Sequence, residues 1–250
     1  VYSLDILGKD EYTSVILDDL KSHGVQTDYM DICDDIKNTK TYIILSEDER
    51  TIFIVSNKKP KISIDDRKKN LLFGSSYVYT TIKDMKNVED DINLIKQLKS
   101  QGVKIFFDVE NESFDDPEKD SFYFENANVL VFNESGFEKY RGEKAPEEIY
   151  KDLFAKGVEI IVTTLGSKGC VVRTPNWAGE FSGIKVDVKD TTGAGDSFAA
   201  GFIAGLVEGW DLLKCGKFAN AVGTHCVMEV GATTGIKSKE EILEFMKKYE

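Results

Sequence analysis

The segment Asp190-Thr191-Thr192-Gly193-Ala194-Gly195-Asp196-Ser197-Phe198 combines a glycine-rich turn with a carboxylate. Gly193 and Gly195 let the backbone turn sharply, and N–H groups at the start of a helix favour a bound anion. A loop that only held a phosphate would gain nothing from the carboxylate of Asp196. A site that transfers phosphate to an alcohol has a use for it, because the attacking hydroxyl must lose its proton.

Other interpretations of this segment remain open from its residues alone. No stretch of the chain fits the Walker A pattern G-x-x-x-x-G-K-[ST]. The dinucleotide fingerprint G-x-G-x-x-G requires a third glycine where Phe198 stands. Asp196 is also a residue type that simply stabilises the first turn of a helix, with the glycines serving only the turn.

The composition excludes several classes of function. The chain has 250 residues, 41% of them apolar, and a formal net charge of −12, which argues against a broad nucleic-acid interface. No apolar run approaches the roughly 20 residues of a membrane span. The four cysteines form no C-x-x-C pair, and His23 and His225 have no ligand spacing, so we expect reduced thiols in a cytoplasmic protein.

Strands and helices are predicted to alternate along most of the chain. The predicted strands are Tyr2–Leu7, Tyr77–Tyr79, Val103–Val109, Val129–Phe132, Val158–Thr164 and Cys170–Arg173, and the predicted helices include Lys9–Ser22, Val88–Ser100 and Glu147–Lys156. Thr41–Ser46 and Thr51–Ser56 flank the charged turn Glu47-Asp48-Glu49-Arg50 and predict a hairpin. The alternation predicts an α/β fold with a doubly wound, mostly parallel sheet and helices on both faces.

In such sheets, ligands bind beyond the carboxyl ends of the strands. That rule places four segments at one crevice: Asp108, Asn133, Thr164–Gly169 and Asp190–Asp196. A last helix is predicted to begin at Ser238, since Glu241 stands at the capping-box spacing.

Four segments together carry a resemblance to a known family. DTTGAGDSFAAGF closely resembles the C-terminal signature of the PfkB (ribokinase-like) family of sugar and nucleoside kinases. LGKDEYTSVILDDLKSHGVQTDYM resembles its early "G-x-D-x-x-G…L…GV" segment, VTTLGSKGCVV its "TLGxxG" hairpin, and FANAVGTHCVMEVGA its adenine-side helix. The resemblance covers nearly the whole chain. It implies a ribokinase-like fold and an ATP-dependent phosphotransferase acting on a hydroxyl of a small sugar-like substrate.

The resemblance also implies roles for individual residues. Asp196 would be the catalytic base at the acceptor hydroxyl, and the N–H groups of Gly193, Ala194 and Gly195 would form the anion hole. Thr164, Gly166, Gly169 and Asn220 would line the ATP site. A monovalent cation such as K⁺ would lie near Asp190 and Thr192.

The resemblance further implies a domain division, with residues 1–28 and 57–250 as the kinase core and residues 29–56 as a small β lid. Lids of family members can pair between subunits, which is compatible with a homodimer. Family members begin with a strand bearing a sugar-binding Asp and then a Gly-Gly-Asn stretch. Neither precedes Val1, so we expect the chain to be a fragment that lacks these elements.

The sequence departs from the family pattern at two places near the expected site. In family members, an N-x-x-E motif lies in the region that binds Mg²⁺ and phosphate. Here Asn133 is retained but Gly136 replaces the Glu, with Glu134 and Glu138 as nearby carboxylates. Asp108, in FDVENES, stands where the family has "D-x-N-x-R", without the Asn and Arg, and is a candidate substrate contact.

These departures leave alternatives for the function. A nucleoside is the main rival acceptor. The second class is a non-catalytic relative that binds nucleotide or sugar as a sensor, which Gly136 favours and the intact Asp196 turn opposes.

Overall fold

In the computed structural model of the protein, residues 1–46 and 49–249 are described. They form two compact units. The first holds Val1–Leu71 and Asn87–Asp91, and the second holds Leu72–Lys86 and the chain from Ile92 onward. The predicted lid, residues 29–56, falls within the first unit, and its bounds as a separate domain stay a prediction.

The first unit contains short strands and one main helix. Its elements are β1 (Ile6–Gly8), α1 (Thr13–Ser22), β2 (Asp31–Cys33), β3 (Lys40–Ser46) and β4 (Glu49–Val55). The predicted strand Tyr2–Leu7 is wrong in extent, since Tyr2 makes only an isolated bridge with Gln26. The hairpin is confirmed, because β3 pairs antiparallel with β4. Glu47 and Asp48 of its predicted turn lie outside the described residues.

A buried asparagine fixes the start of α1 within this unit. The Asn38 side chain accepts a hydrogen bond from Gly8 N and donates to Gly8 O, to Asp10 Oδ1 and to Thr13 Oγ1. A Cβ on Gly8 would lie 2.4 Å from the backbone carbon of Lys37, so only glycine allows the two segments to approach this closely. Every polar atom of the Asn38 amide is thus hydrogen-bonded although the residue is buried.

The second unit is built on a six-stranded sheet. Its strands are β5 (Tyr77–Thr81), β6 (Lys104–Val109), β7 (Val129–Asn133), β8 (Ile160–Thr164), β9 (Gly169–Thr174) and β10 (Trp177–Ser182), in the order β10-β9-β8-β7-β6-β5. β5 to β8 are parallel, whereas β9 and β10 are antiparallel to their neighbours. The predicted mostly parallel sheet is therefore confirmed.

Helices cover both faces of this sheet. The helices of this unit are α3 (Ile82–Met85), α4 (Asp91–Ser100), α5 (Ser121–Asn126), α6 (Glu134–Arg141), α7 (Pro146–Ala155), α8 (Ala194–Val207), α9 (Leu212–Cys226) and α10 (Lys239–Met246), whereas α2 (Asp66–Phe73) has most of its residues in the first unit. On one face, Phe198 and Phe202 of α8 pack in a cluster with Phe106 and Val131. On the other face, alternate side chains such as Phe132 contact rings of α5 and α6. This alternation explains the continuous apolar strands.

Close packing of α8 on α9 explains the small residues of these helices. A Cβ on Gly201 would lie 2.9 Å from Val222 Cγ2, and one on Gly205 would lie 2.8 Å from Cys215 Sγ. The glycines therefore set the separation of the two helices.

Details of several helices differ from the predictions. The helix predicted over Val88–Ser100 begins three residues later, at Asp91, and it buries Leu94, Ile95 and Leu98, whereas Ile92 is 46% exposed. The capping box at Ser238 and Glu241 is confirmed. The four cysteines are free thiols, as predicted, and three of them are buried. Among the described residues, no helix has the length and apolar character that a membrane crossing requires.

Candidate active site

The carboxyl ends of the parallel strands bring the predicted site residues to one edge of the sheet. Asp108 lies beside Thr81 and Val131, and Asn133 lies beside Thr164, in the registers of β5 to β8. Asp196, in the first turn of α8, lies close enough for its charge to act on Asp108. The structure thus places Asp108, Asn133, Thr164 and Asp196 at the same end of the second unit.

The turn before α8 is held by the carboxylate of Asp190. Its Oδ1 accepts hydrogen bonds from Thr192 N at 2.9 Å and from Thr192 Oγ1 at 2.7 Å. Its Oδ2 accepts one from Gly231 N at 2.9 Å, in the loop that follows α9. The predicted cation residues Asp190 and Thr192 therefore bond to each other, and the cation itself stays a prediction.

Gly193 begins α8 in a conformation that other residues rarely adopt. Its φ is +77°, in the left-handed region, and a Cβ would lie 2.6 Å from the carbonyl oxygen of Ala232. No side chain caps this end of α8, so the first amides depend on an external partner. The N–H of Ala194 makes a long bond of 3.3 Å to Thr191 O. This helix start has the form of an anion site, with the exposed Asp196 in its first turn.

A partly buried carboxylate–phenol pair, formed by the buried Asp108 and the 43% exposed Tyr79, lies beside this helix start. Tyr79, on β5, donates a hydrogen bond from its hydroxyl to Asp108 Oδ2 at 2.9 Å. Burial raises the pKa of Asp108 to about 7, against the lowering effect of the Tyr79 bond, and the charges of Glu110 and Asp196 raise it further. Removal of the Tyr79 hydroxyl from water, with the neighbouring carboxylates, likewise raises the pKa of Tyr79. Asp108 therefore titrates near neutral pH.

Replacing Asp108 with asparagine should flatten the pH dependence of stability. Because the pKa of Asp108 is about 7 in the folded chain against an ordinary 3.8, the folded state alone holds this proton between about pH 4 and 7. Wild-type stability therefore falls as pH rises through that window, by roughly 4 kcal/mol at most. Urea unfolding from pH 4 to 8 should show Asp108→Asn gaining stability relative to wild type over this range. A constant difference between the two proteins across the window would contradict the assignment.

Two residues of this edge were not among the predicted site residues. Tyr79 lies in the middle of the edge strand β5, and Glu110 follows Asp108 by two residues, directly after β6. Glu110 Oε1 lies 3.8 Å from the position that a Cβ on Gly195 would take. The rule that placed Asp108 at the carboxyl edge applies equally to Glu110, so that signal was present in the sequence.

Asn133 has a structural partner at the start of α6. Its Oδ1 accepts hydrogen bonds from Gly136 N at 2.7 Å and from Ser135 Oγ at 3.1 Å, which caps the helix. The two carboxylates considered near it are also paired: Glu134 lies 3.3 Å from Lys168 Nζ, and Glu138 bonds Arg141.

The predicted nucleotide residues form a connected group. Thr164 pairs with Cys170, and Gly169 pairs with Ser182 across the β9–β10 hairpin. Asn220, on α9, donates from Nδ2 to Ser182 O at 2.8 Å. Gly169 has a φ of +103°, and a Cβ there would lie 1.9 Å from Phe181 O. Gly166 begins a single 3₁₀ turn, Gly166–Lys168, with a φ of +56°.

A match over nearly the whole sequence shows the family. The sequence matches the pfkB family of carbohydrate kinases over residues 1–239. The chain belongs to this family. The predicted resemblance and the predicted ATP-dependent carbohydrate kinase are confirmed at that level.

Individual relatives of this pfkB kinase fall into sugar and nucleoside classes. It is 26% identical over 240 residues to an uncharacterized sugar kinase of Archaeoglobus fulgidus, covering 92% of each chain. It is 35% identical over 126 residues to a nucleoside kinase of Methanocaldococcus jannaschii, covering 50% of this chain and 41% of that one. A putative ribokinase II from E. coli, in complex with ATP and Mg²⁺, shares the fold with a TM-score of 0.85 at 18% identity, covering 99% of this chain and 83% of that one. The predicted ribokinase-like fold is therefore confirmed.

The carboxylates of the pfkB kinase suit a divalent metal ion that substrate phosphates and water also coordinate. Within residues 1–46 and 49–249, no three acidic, His or Cys side chains are grouped as metal ligands. Mg²⁺ keeps several waters and usually binds one or two carboxylates together with substrate phosphates. The carboxylates beside the start of α8 fit that ion and not a fully protein-bound one.

His23 and His225 lie outside the site, as expected. His23 bonds Asp19 O at the end of α1, and His225 bonds Gly235 O and contacts the Phe245 ring.

Proposed function

We propose that the protein transfers a phosphoryl group from ATP to a hydroxyl of a small sugar or sugar-like substrate at the N-terminus of α8. One observation carries the proposal: an uncapped helix start at Gly193 has the carboxylate of Asp196 in its first turn. An uncapped helix start stabilises negative charge. A carboxylate at the same place can take the proton that leaves the acceptor hydroxyl.

The chain's own groups would divide the reaction as follows. Asp196 takes the proton from the acceptor hydroxyl as it attacks. The amides of Gly193, Ala194 and Gly195 stabilise charge on the phosphoryl group in transfer. Asp108, held by Tyr79, lies close to Asp196 and is a contact for a substrate hydroxyl.

The nucleotide and its ions belong to the same proposal. Thr164, Gly166, Gly169 and Asn220 hold ATP beside the β9–β10 hairpin, and Mg²⁺ lowers the negative charge of its phosphates when bound. Asn133 is proposed near that metal through its position at the sheet edge. K⁺ beside Asp190 and Thr192 stays a prediction, since hydrogen bonds already engage both oxygens of Asp190.

Assembly and location are further parts of the proposal. The hairpin β3–β4 exposes large apolar side chains, including Tyr42, Phe53 and Ile54, which favours the homodimer implied by the resemblance. The free thiols favour a reducing, cytoplasmic location.

A screen of ATP consumption tests the proposal. The protein is assayed with Mg²⁺ and K⁺ against sugars, sugar acids, sugar phosphates and nucleosides, beside Asp196→Asn as the control for contaminating kinases. Acceptor-dependent ADP release by the wild type alone, with the phosphorylated product identified by mass spectrometry, supports it. A nucleoside as the best acceptor would select the nucleoside alternative.

Gly136 favours a second candidate, a sensor that binds nucleotide or sugar without turnover. Binding of ATP and a sugar in calorimetry, with no product from any acceptor, would select the sensor and overturn the kinase proposal.

A further inference from the structure

The position at which the resemblance expects a glutamate has no room for a side chain. A Cβ on Gly136 would lie 2.5 Å from Val109 O and 3.1 Å from the carbonyl carbon of Glu110. Real Cβ atoms essentially never approach backbone at the first of these distances. The backbone leaving β6 therefore occupies the space that a side chain at position 136 would need.

The side chain of Glu110 begins at this same place and ends at the anion site. Its carboxylate oxygen lies 3.8 Å from where a Cβ on Gly195 would be. Its backbone is fixed by a reciprocal pair of hydrogen bonds with the buried Ser113: Glu110 N–H donates to Ser113 Oγ, and Ser113 N–H donates to Glu110 O, both at 3.0 Å. The close approach of the Val109–Glu110 backbone to Gly136 therefore both excludes a side chain at position 136 and places Glu110 beside it.

The charge of Glu110 conflicts with a bare phosphate at the start of α8. Its negative charge already acts on Asp108 and Tyr79, as does that of Asp196. A carboxylate facing a phosphate site repels the phosphate unless a cation lies between them. Carboxylate and phosphate oxygens are also the ligands that Mg²⁺ prefers, and one or two carboxylates are sufficient for it.

We infer that Glu110 is the carboxylate that holds the divalent cation of this kinase, in place of the glutamate that is absent at position 136. The inference rests on the proposed phosphoryl transfer at α8. A residue that directly follows β6 would thus take the role that the family motif gives to a residue of α6.

Metal binding by Glu110→Gln tests the inference without relying on turnover. Mn²⁺ binding to the protein with a non-hydrolysable ATP analogue is measured by electron paramagnetic resonance. Glu110→Gln should weaken Mn²⁺ binding about tenfold or more. Its affinity for the metal-free nucleotide, measured in EDTA, should be unchanged or higher because one repelling charge is lost. The Mg²⁺ concentration for half-maximal turnover should rise in parallel.

Glu112→Gln is the matched control, because Glu112 is exposed on the same loop and lies two residues further along the chain. It should retain wild-type Mn²⁺ affinity, and circular dichroism should show both variants folded. Equal Mn²⁺ affinity in Glu110→Gln and wild type would overturn the inference, as would a comparable loss in Glu134→Gln alone. If wild type phosphorylates no acceptor yet loses Mn²⁺ affinity on Glu110→Gln, the proposed function fails while the cation assignment stands.

Discussion

Asp196→Asn should lower the turnover number by about 10²–10⁴-fold, the usual contribution of a general base. Asparagine keeps the size and the helix position of the side chain but does not accept the proton of the acceptor hydroxyl. ATP binding should change little, because the proposed anion site consists of backbone amides and not of this carboxylate. The measurement is steady-state turnover with the best acceptor from the screen, together with the dissociation constant of ATP by calorimetry.

Asp187→Asn is the control for this substitution. Asp187 is an exposed aspartate in the segment before the turn, so the change in charge is the same. It should leave turnover at the wild-type level. Near-normal turnover in Asp196→Asn would remove Asp196 as the base and would direct attention to Asp108, the next carboxylate at the sheet edge.

Gly193→Ala should abolish most activity and also destabilise the fold. The added Cβ would meet the carbonyl oxygen of Ala232 at 2.6 Å, and alanine is strained at a φ of +77°. Such strain and overpacking each cost about 1–3 kcal/mol. Relief of the clash must move the first amides of α8, which are the proposed anion hole. Urea unfolding and turnover, measured on the same preparation, check both effects.

Gly209→Ala provides a control at the other end of the same helix. Gly209 has a similar φ of +71°, but a Cβ there meets nothing within 4 Å. This variant should lose stability from backbone strain alone and should keep its turnover. The assignment of the anion hole fails if both variants lose the same stability and neither loses activity.

Most of the second unit could be predicted from the sequence, because its strands are apolar on both faces and its helices end at glycines. Val158–Thr164 and Val103–Val109 were placed within two residues of β8 and β6. The first unit was predicted less well. Of the predicted strand Tyr2–Leu7, which is polar at alternate positions, only Ile6 and Leu7 lie in β1, and Tyr2 makes an isolated bridge. β10 and α6 were not predicted, because each is short and α6 has only Phe137 and Tyr140 as apolar side chains.

The turn before α8 was predictable because its information is local: glycines, an acid and a helix start lie within seven residues. The position of Glu110 at the carboxyl edge was also predictable, because it directly follows β6, but its closeness to Gly195, 85 residues further along the chain, was not. Gly136 suggested only an absent ligand in the sequence. The structure shows a cause for the glycine, the close approach of the Val109 carbonyl.

Helix α9 is the common support of two parts of the site. The Asn220 side chain donates to Ser182 O at the end of β10, and Lys189 N donates to Val227 O at the end of α9. In the loop after α9, Gly231 N donates to the Asp190 carboxylate. The β9–β10 hairpin and the turn before α8 are therefore both hydrogen-bonded to α9 or to the loop that follows it. A substitution that rotates α9 should therefore move the hairpin and the turn together. The proposed nucleotide and phosphate sites cannot be shifted separately unless one of these hydrogen bonds breaks.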